Sequence, residues 1–142
     1  MIGTHLESAG KSRMIYLVDD DEDDIELFRM AAESCFPNDV IRVFKSGPAL
    51  LGVLAEAKTK KPAVIFINGM MPVMDGVQTL VALRQMPEIE SIPKILLSGG
   101  LPEKRIEEAR QAGAVICLEK PHSVRELMAS LAKIQSIWIK PA

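Results

Sequence analysis

Runs of mostly apolar residues recur five times along the chain, separated by more polar stretches. They are Met14–Val18, Val40–Phe44, Ala63–Ile67, Lys94–Leu97 and Ala114–Leu118. A strand that is covered on both faces carries apolar residues at consecutive positions, whereas a half-exposed strand alternates polar and apolar ones. The pattern therefore predicts five short strands inside a sheet.

The stretches between these runs place apolar residues three or four positions apart, which is the spacing of one helix face. The first face consists of Ile25, Phe28, Ala32 and Cys35, and Pro37 marks its end. The second predicted face consists of Leu50, Val53, Leu54 and Ala57, and the third consists of Val77, Leu80 and Val81. The last face consists of Val124, Leu127, Met128, Leu131 and Ile134, and Trp138 follows one turn later. A more polar helix, Pro102–Ala112, is expected to stop at Gly113.

Strands that alternate with helices form a parallel sheet, because right-handed crossovers place the helices on its two faces. We therefore predict an α/β fold of five βα units, with a doubly wound, parallel, five-stranded sheet. The 142 residues are enough for one domain with a real core. We assign the domain to residues 14–139 and expect residues 1–13, which are mostly polar, to be a disordered lead-in.

Composition excludes several classes of protein. Hydrophobic residues make up 48% of the chain and charged residues 25%, as in ordinary globular proteins. The formal net charge of -2 gives no reason to expect nucleic acid or an anionic membrane as a partner. No apolar run approaches the length that spans a bilayer. Cys35 and Cys117 lie in apolar contexts without metal-ligand spacing, which favours a reducing cytoplasm.

Polar side chains follow four of the five predicted strands at the point where each strand ends. Asp19 and Asp20 follow the first strand, Asn68 the third, Ser98 the fourth and Lys120 the fifth. Ligands of open α/β sheets bind beyond the carboxyl ends of the strands. Two carboxylates suit a magnesium ion, and a hydroxyl with a lysine can hold phosphoryl oxygens. The sequence therefore predicts a site for magnesium and a phosphoryl group at this edge.

Four segments in this order, "LVDDD", "NGMMPVMDG", "LLSGG" and "EKP", resemble the receiver domain of two-component response regulators. The resemblance implies the flavodoxin-like (CheY-like) fold, with strand order 2-1-3-4-5. It also implies roles for five residues in the site. Asp19 and Asp20 match the acidic metal-binding pair, the main-chain carbonyl of Met70 completes the metal site, and Ser98 and Lys120 bind phosphoryl oxygens.

The sequence departs from this family at two positions. Asn68 falls on the phosphoacceptor aspartate, and an amide is not a competent nucleophile, so we expect no catalytic residue in the chain as written. Cys117 falls on the aromatic residue that, together with Ser98, signals activation. An amide also reduces the repulsion between carboxylates and can donate hydrogen bonds to Asp19 or Asp20. We therefore expect any Mg²⁺ binding to be weakened by Asn68.

The resemblance leaves two interpretations of function open. In the first, the chain is a single-domain receiver that is not an enzyme and acts by binding a histidine kinase or another phosphorelay protein. Its binding face would comprise the fourth helix, fifth strand and fifth helix, and a homodimer could form through helices 4 and 5. In the second, an aspartate replaces Asn68, natively or by deamidation at Asn68-Gly69, and the chain catalyses its own phosphorylation and dephosphorylation. A flavin- or nucleotide-binding enzyme is disfavoured, because no GxxxxGK[ST] loop is present.

Overall fold

The computed structural model describes residues 12–56, 58–139 and 141. The predicted disordered lead-in falls mostly outside these residues, and so does Ala57, which was expected on the second helix face. In Arg13, the last residue of that segment, the main-chain N and the guanidinium donate hydrogen bonds to the Asp39 carboxylate at 2.8–3.2 Å. These bonds join the residue before the first strand to the residue before the second.

The five predicted strands are present and form one parallel sheet. They are β1 (Met14–Val18), β2 (Val40–Phe44), β3 (Val64–Asn68), β4 (Lys94–Ser98) and β5 (Ile116–Glu119). Their spatial order is β2-β1-β3-β4-β5, and every neighbouring pair is parallel. The predicted fold class and strand order are therefore confirmed.

Five α-helices connect or follow the strands, and a short 3₁₀ helix, Pro87–Ile89, precedes β4. The α-helices are α1 (Glu22–Cys35), α2 (Gly47–Leu54), α3 (Gly76–Leu83), α4 (Glu103–Gln111) and α5 (Val124–Trp138). Side chains of Asp21, Ser46, Asp75 and Ser123 cap α1, α2, α3 and α5. No helix in the described part of the chain is both long and apolar enough to cross a bilayer.

The sheet separates two layers of core. On one side, Leu17 and Phe66 pack with Phe28 of α1 and Leu131 of α5. On the other side, the core residues include Tyr16, Val18, Ile65, Leu80 and Leu96. Because both faces are covered, β3 and β4 are buried along their whole length, as continuous apolar strands require.

Several predicted bounds and one predicted inward position differ from the structure. Val81 was expected to face inward but is 51% exposed, because Leu80 and Leu83 already face the sheet and the next position turns about 100° away. The fifth strand begins at Ile116 rather than Ala114, because the main-chain N of Ala114 closes the end of α4 by donating to Ala109 O. The expected stop of α4 at Gly113 is confirmed, since Gly113 has a left-handed φ of 114°.

Candidate functional site

Asp19 is fixed in place at the carboxyl end of β1. Its main-chain N donates to Phe44 O at 2.9 Å, which continues the pairing of β1 with β2. The residue is 1% exposed, and its carboxylate accepts a hydrogen bond from Asp21 N at 3.0 Å. The neighbouring Asp20 is exposed. The end of β1 therefore carries one buried and one exposed carboxylate.

Asn68, the last residue of β3, is 5% exposed and lies at the centre of the site. Its Nδ2 is 3.2 Å from Asp19 Oδ1, 3.4 Å from Asp20 Oδ1 and 2.9 Å from Met70 O. An amide nitrogen has two hydrogens to share among these three acceptors. The three oxygens that the resemblance assigns to a metal ion therefore converge on one nitrogen.

The donor atoms fit a divalent cation only in part. Two carboxylates and a main-chain carbonyl are the hard oxygen ligands that magnesium prefers. The position on which they converge, however, is filled by the N–H groups of Asn68, and an N–H group cannot coordinate a cation. Within the described residues, no three His, Cys, Asp or Glu side chains form a group that could hold a metal ion. A cation would therefore need the Asn68 amide to turn away.

Lys120 follows β5 and reaches back into the site. Its main-chain N donates to Ser98 O at 2.7 Å, and its Nζ donates to Asp19 Oδ2 at 3.1 Å and to Asp24 Oδ2 at 2.5 Å. Its side chain is 19% exposed. Lys120 therefore joins the end of β1 and the first turn of α1 to the end of β5.

The pKa values in the site reflect competition between burial and charge. Burial raises the pKa of Asp19, and the hydrogen bond from Asp21 N and the charge of Lys120 oppose this only in part. Burial lowers the pKa of Lys120, but its hydrogen bonds to Asp24 and Asp19 and their charges outweigh burial, so the net direction is upward. Lys120 is therefore held in its charged form.

Ser98 and Cys117 occupy the expected strands. Ser98 ends β4, is 5% exposed, and follows Leu97, which is paired with Asn68 in the sheet. Cys117 lies half-buried in β5, and its Sγ is 3.8 Å from Ile106 O of α4. Burial raises the pKa of the Cys117 thiol. Cys117 is thus a packing residue between the sheet and α4.

Sequence reasoning missed the role of Asp24. The acidic run Asp21–Asp24 is typical of a helix N-terminus, and Asp21 does cap α1. Asp24, however, is also an ion-pair partner of Lys120. The available signal was its position four residues before the inward-facing Phe28, which places both on one side of α1.

The Lys120-Pro121 peptide bond is trans, like the other peptide bonds of the described residues.

A parallel sheet of order 2-1-3-4-5, with two carboxylates and a lysine at its carboxyl edge, defines a class of flavodoxin-like domains. A family model for the response regulator receiver domain matches residues 15–132. The chain therefore belongs to the receiver domain family of response regulators. Receiver domains generally bind Mg²⁺ and interact with histidine kinases or other phosphorelay proteins.

Individual relatives agree with this assignment. The chain is 33% identical over 109 residues to the KDP operon transcriptional regulatory protein KdpE of Escherichia coli K12, a match that covers 77% of the chain but only 47% of KdpE. It is 20% identical over 138 residues to response regulator Rcp1 of Synechocystis, with 94% of each covered. The chain thus spans less than half of KdpE and nearly all of Rcp1.

Solved structures show the same fold. The Mn²⁺-bound form of Rcp1 matches with a TM-score of 0.78 and 20% identity over 92% of this chain and 96% of Rcp1. The phosphorylated cyanobacterial phytochrome response regulator RcpA matches with a TM-score of 0.80 and 21% identity, over 89% of this chain and 94% of RcpA.

Proposed function

We propose that this chain is a signalling receiver that binds a partner protein and does not accept a phosphoryl group. The observation that carries the proposal is the position of Asn68 Nδ2, which donates toward Asp19, Asp20 and the Met70 carbonyl. In the receiver family, this strand end holds the phosphoacceptor aspartate. The chain would therefore not be an enzyme.

Two chemical features of Asn68 support this proposal. An amide oxygen carries no full negative charge and is a poor nucleophile, so it does not form an acyl phosphate. The amide nitrogen also supplies hydrogen bonds to oxygens that would otherwise require a cation. The site is therefore satisfied without metal, and we expect it to bind Mg²⁺ more weakly than a receiver with an aspartate there.

The face formed by α4, β5 and α5 is the proposed binding surface. Helix α4 exposes most of its charged side chains, including Glu103, Lys104, Glu107 and Arg110. The partner would be a histidine kinase or another phosphorelay protein in the cytoplasm, and two copies could pair through α4 and α5. Nucleic acid and membranes are not proposed as partners, because the net charge is close to zero.

A phosphotransfer assay tests the proposal. The chain and Asn68→Asp are incubated with acetyl phosphate and Mg²⁺, and intact mass is measured. We expect a phosphoryl adduct on Asn68→Asp and none on the unmodified chain. A phosphoryl adduct on any residue of the unmodified chain would refute the proposal.

The conventional alternative, an aspartate in place of Asn68, is favoured by one observation. Ser98 ends β4 beside Glu119 of β5, and Lys120 lies at the same edge of the sheet with its Nζ paired with Asp19. If Asn68→Asp is labelled rapidly, the remaining residues of the site are competent for phosphoryl transfer. The same assay therefore measures how much of the conventional chemistry the chain retains.

A further inference from the structure

We infer that α4 is latched to the loop after β3 by two contacts that do not involve Ser98 or a phosphoryl group. The latch consists of Leu101 against Gly69 and Arg105 against Asp75. The inference rests on the proposed function, because it explains how a receiver that is not phosphorylated could hold its binding face in one position.

The first contact fills the space above Gly69. A Cβ placed on Gly69 would lie 2.6 Å from Leu101 Cδ1 and 3.3 Å from Leu101 Cγ. The Leu101 side chain therefore occupies the volume that a larger residue at position 69 would need. Because Gly69 directly follows Asn68 and Leu101 lies just before α4, this contact joins the site to the helix.

The second contact is an ion pair between α4 and the start of α3. Arg105 donates from a guanidinium nitrogen to Asp75 Oδ2 at 2.5 Å, and the two side chains are 31% and 30% exposed. The other oxygen of Asp75, Oδ1, accepts from Gln78 N at 2.8 Å and caps α3. Each carboxylate oxygen of Asp75 has its own partner. The hydrogen bond from Gln78 N orients the carboxylate independently of Arg105.

The packing of α4 makes these contacts important. Among the residues of α4, all of which the structure describes, only Ala109 is fully buried. A helix with few buried apolar contacts opens easily unless other interactions hold it. Where the family has an aromatic residue, this chain has Cys117, which packs half-buried between the sheet and α4 with its Sγ 3.8 Å from Ile106 O. The latch therefore adds one apolar contact and one ion pair that hold the start of α4 against the loop after β3.

Hydrogen exchange of Arg105→Gln tests the latch, with Arg110→Gln as a matched control. Both arginines also form a pair within α4, Arg105 with Glu108 and Arg110 with Glu107, so the control accounts for the loss of such a pair. We expect the amides of residues 103–111 and 69–75 to exchange about five-fold faster in Arg105→Gln than in Arg110→Gln. Equal exchange in the two variants would overturn the inference.

Leu101→Ala gives a second, independent measurement. It should speed exchange in the same two segments and leave β1 unchanged, and accelerated exchange spread over the whole domain would contradict a local latch. These experiments contain no phosphodonor. Failure of the latch would therefore leave the phosphotransfer result standing, and labelling of the unmodified chain would refute the proposed function without altering the exchange result.

Discussion

The amide of Asn68 changes the charge balance of the site as well as its nucleophile. Three carboxylates at this point would repel one another strongly, whereas Asp19 and Asp20 beside a neutral donor repel each other less. Lys120 then balances Asp19 and Asp24 at 3.1 and 2.5 Å. We therefore expect the residue type at position 68 to decide whether the same surroundings bind a cation or satisfy their oxygens with hydrogen bonds from Asn68.

Lys94 is a buried lysine on the opposite edge of the sheet, and it gives a prediction for pH dependence. It is 7% exposed, and its Nζ donates to Ile89 O at 2.7 Å and to Glu90 O at 3.3 Å. Burial lowers its pKa below the ordinary 10.5, and the charge of Glu90 opposes this in part. Between the lowered pKa and 10.5 the unfolded chain therefore binds more protons at this residue than the folded chain does.

The free energy of unfolding should consequently contain a contribution from Lys94 that rises with pH across this window, by no more than about 1.4 kcal/mol per pH unit. Urea denaturation at several pH values, on the chain and on Lys94→Met, measures this contribution as the difference between the two curves. Lys104→Met, a change at an exposed lysine, should leave the pH dependence as it is. Parallel curves for the chain and Lys94→Met would show that Lys94 has no such role.

At the scale of elements, the tight connection from β3 to α3 holds the site together. Gly76 N donates to Gly69 O at 2.9 Å, and Gly69 N donates to Leu97 O at 2.8 Å. A Cβ on Gly76 would lie 2.6 Å from Asn68 O and 2.8 Å from Gly69 Cα. These are backbone atoms that cannot easily move, so the first residue of α3 must be a glycine for the helix to pack this close.

Gly76→Ala should therefore destabilise the fold by about 1–3 kcal/mol, because it forces the backbone of β3 and α3 apart. Gly52→Ala in α2 is the control, since a Cβ there meets nothing within 4 Å. The control should stabilise the fold by about 0.5–1 kcal/mol through helix propensity. Thermal and urea unfolding measure both variants, and destabilisation of equal size in the two would rule out the close approach as the cause.

The same connection bears on deamidation of Asn68. Cyclisation requires Gly69 N to attack the Asn68 side chain, but this N–H is engaged by Leu97 O and the amide is nearly buried. We therefore predict that the folded chain keeps its asparagine, whereas the chain unfolded in urea deamidates at the rate of a free Asn-Gly sequence. Intact mass and peptide mapping after incubation at mildly alkaline pH measure both, with the exposed Asn38 as an internal reference. Equal rates at Asn68 in the two states would show that the strand gives no protection.

The strands were predictable from the sequence because most of their residues are apolar, above all in β1, β3 and β4, which are buried on both faces. The site followed from the polar residues at the strand ends. The contacts of Asp24, Leu101, Asp75 and Arg105 were not predictable. They join residues far apart in the chain, and acidic residues near helix starts are common whether or not they pair. The exposure of Val81 was also missed, since a short helix has room for few inward positions.

For the whole molecule, these local features imply that global stability responds weakly to magnesium. A cation that binds only the folded state raises the free energy of unfolding by RT ln(1 + [Mg²⁺]/Kd). In the chain as written, binding must first displace the hydrogen bonds of Asn68 Nδ2 to Asp19, Asp20 and Met70 O. In Asn68→Asp, a third carboxylate replaces that donor and binding also relieves repulsion.

We therefore expect MgCl₂, at about ten times the dissociation constant measured by titration of Asn68→Asp, to raise the unfolding free energy of that variant by about 1.4 kcal/mol. The chain itself should change by less than about 0.3 kcal/mol under the same conditions. Sodium chloride at matched ionic strength serves as the control, because screening alone also shifts stability. Asn38→Asp places the same substitution on the surface away from the site and should show no magnesium response. A magnesium effect on the unmodified chain as large as on Asn68→Asp would mean that the amide does not block the cation, and the weak-metal part of the proposal would then be wrong.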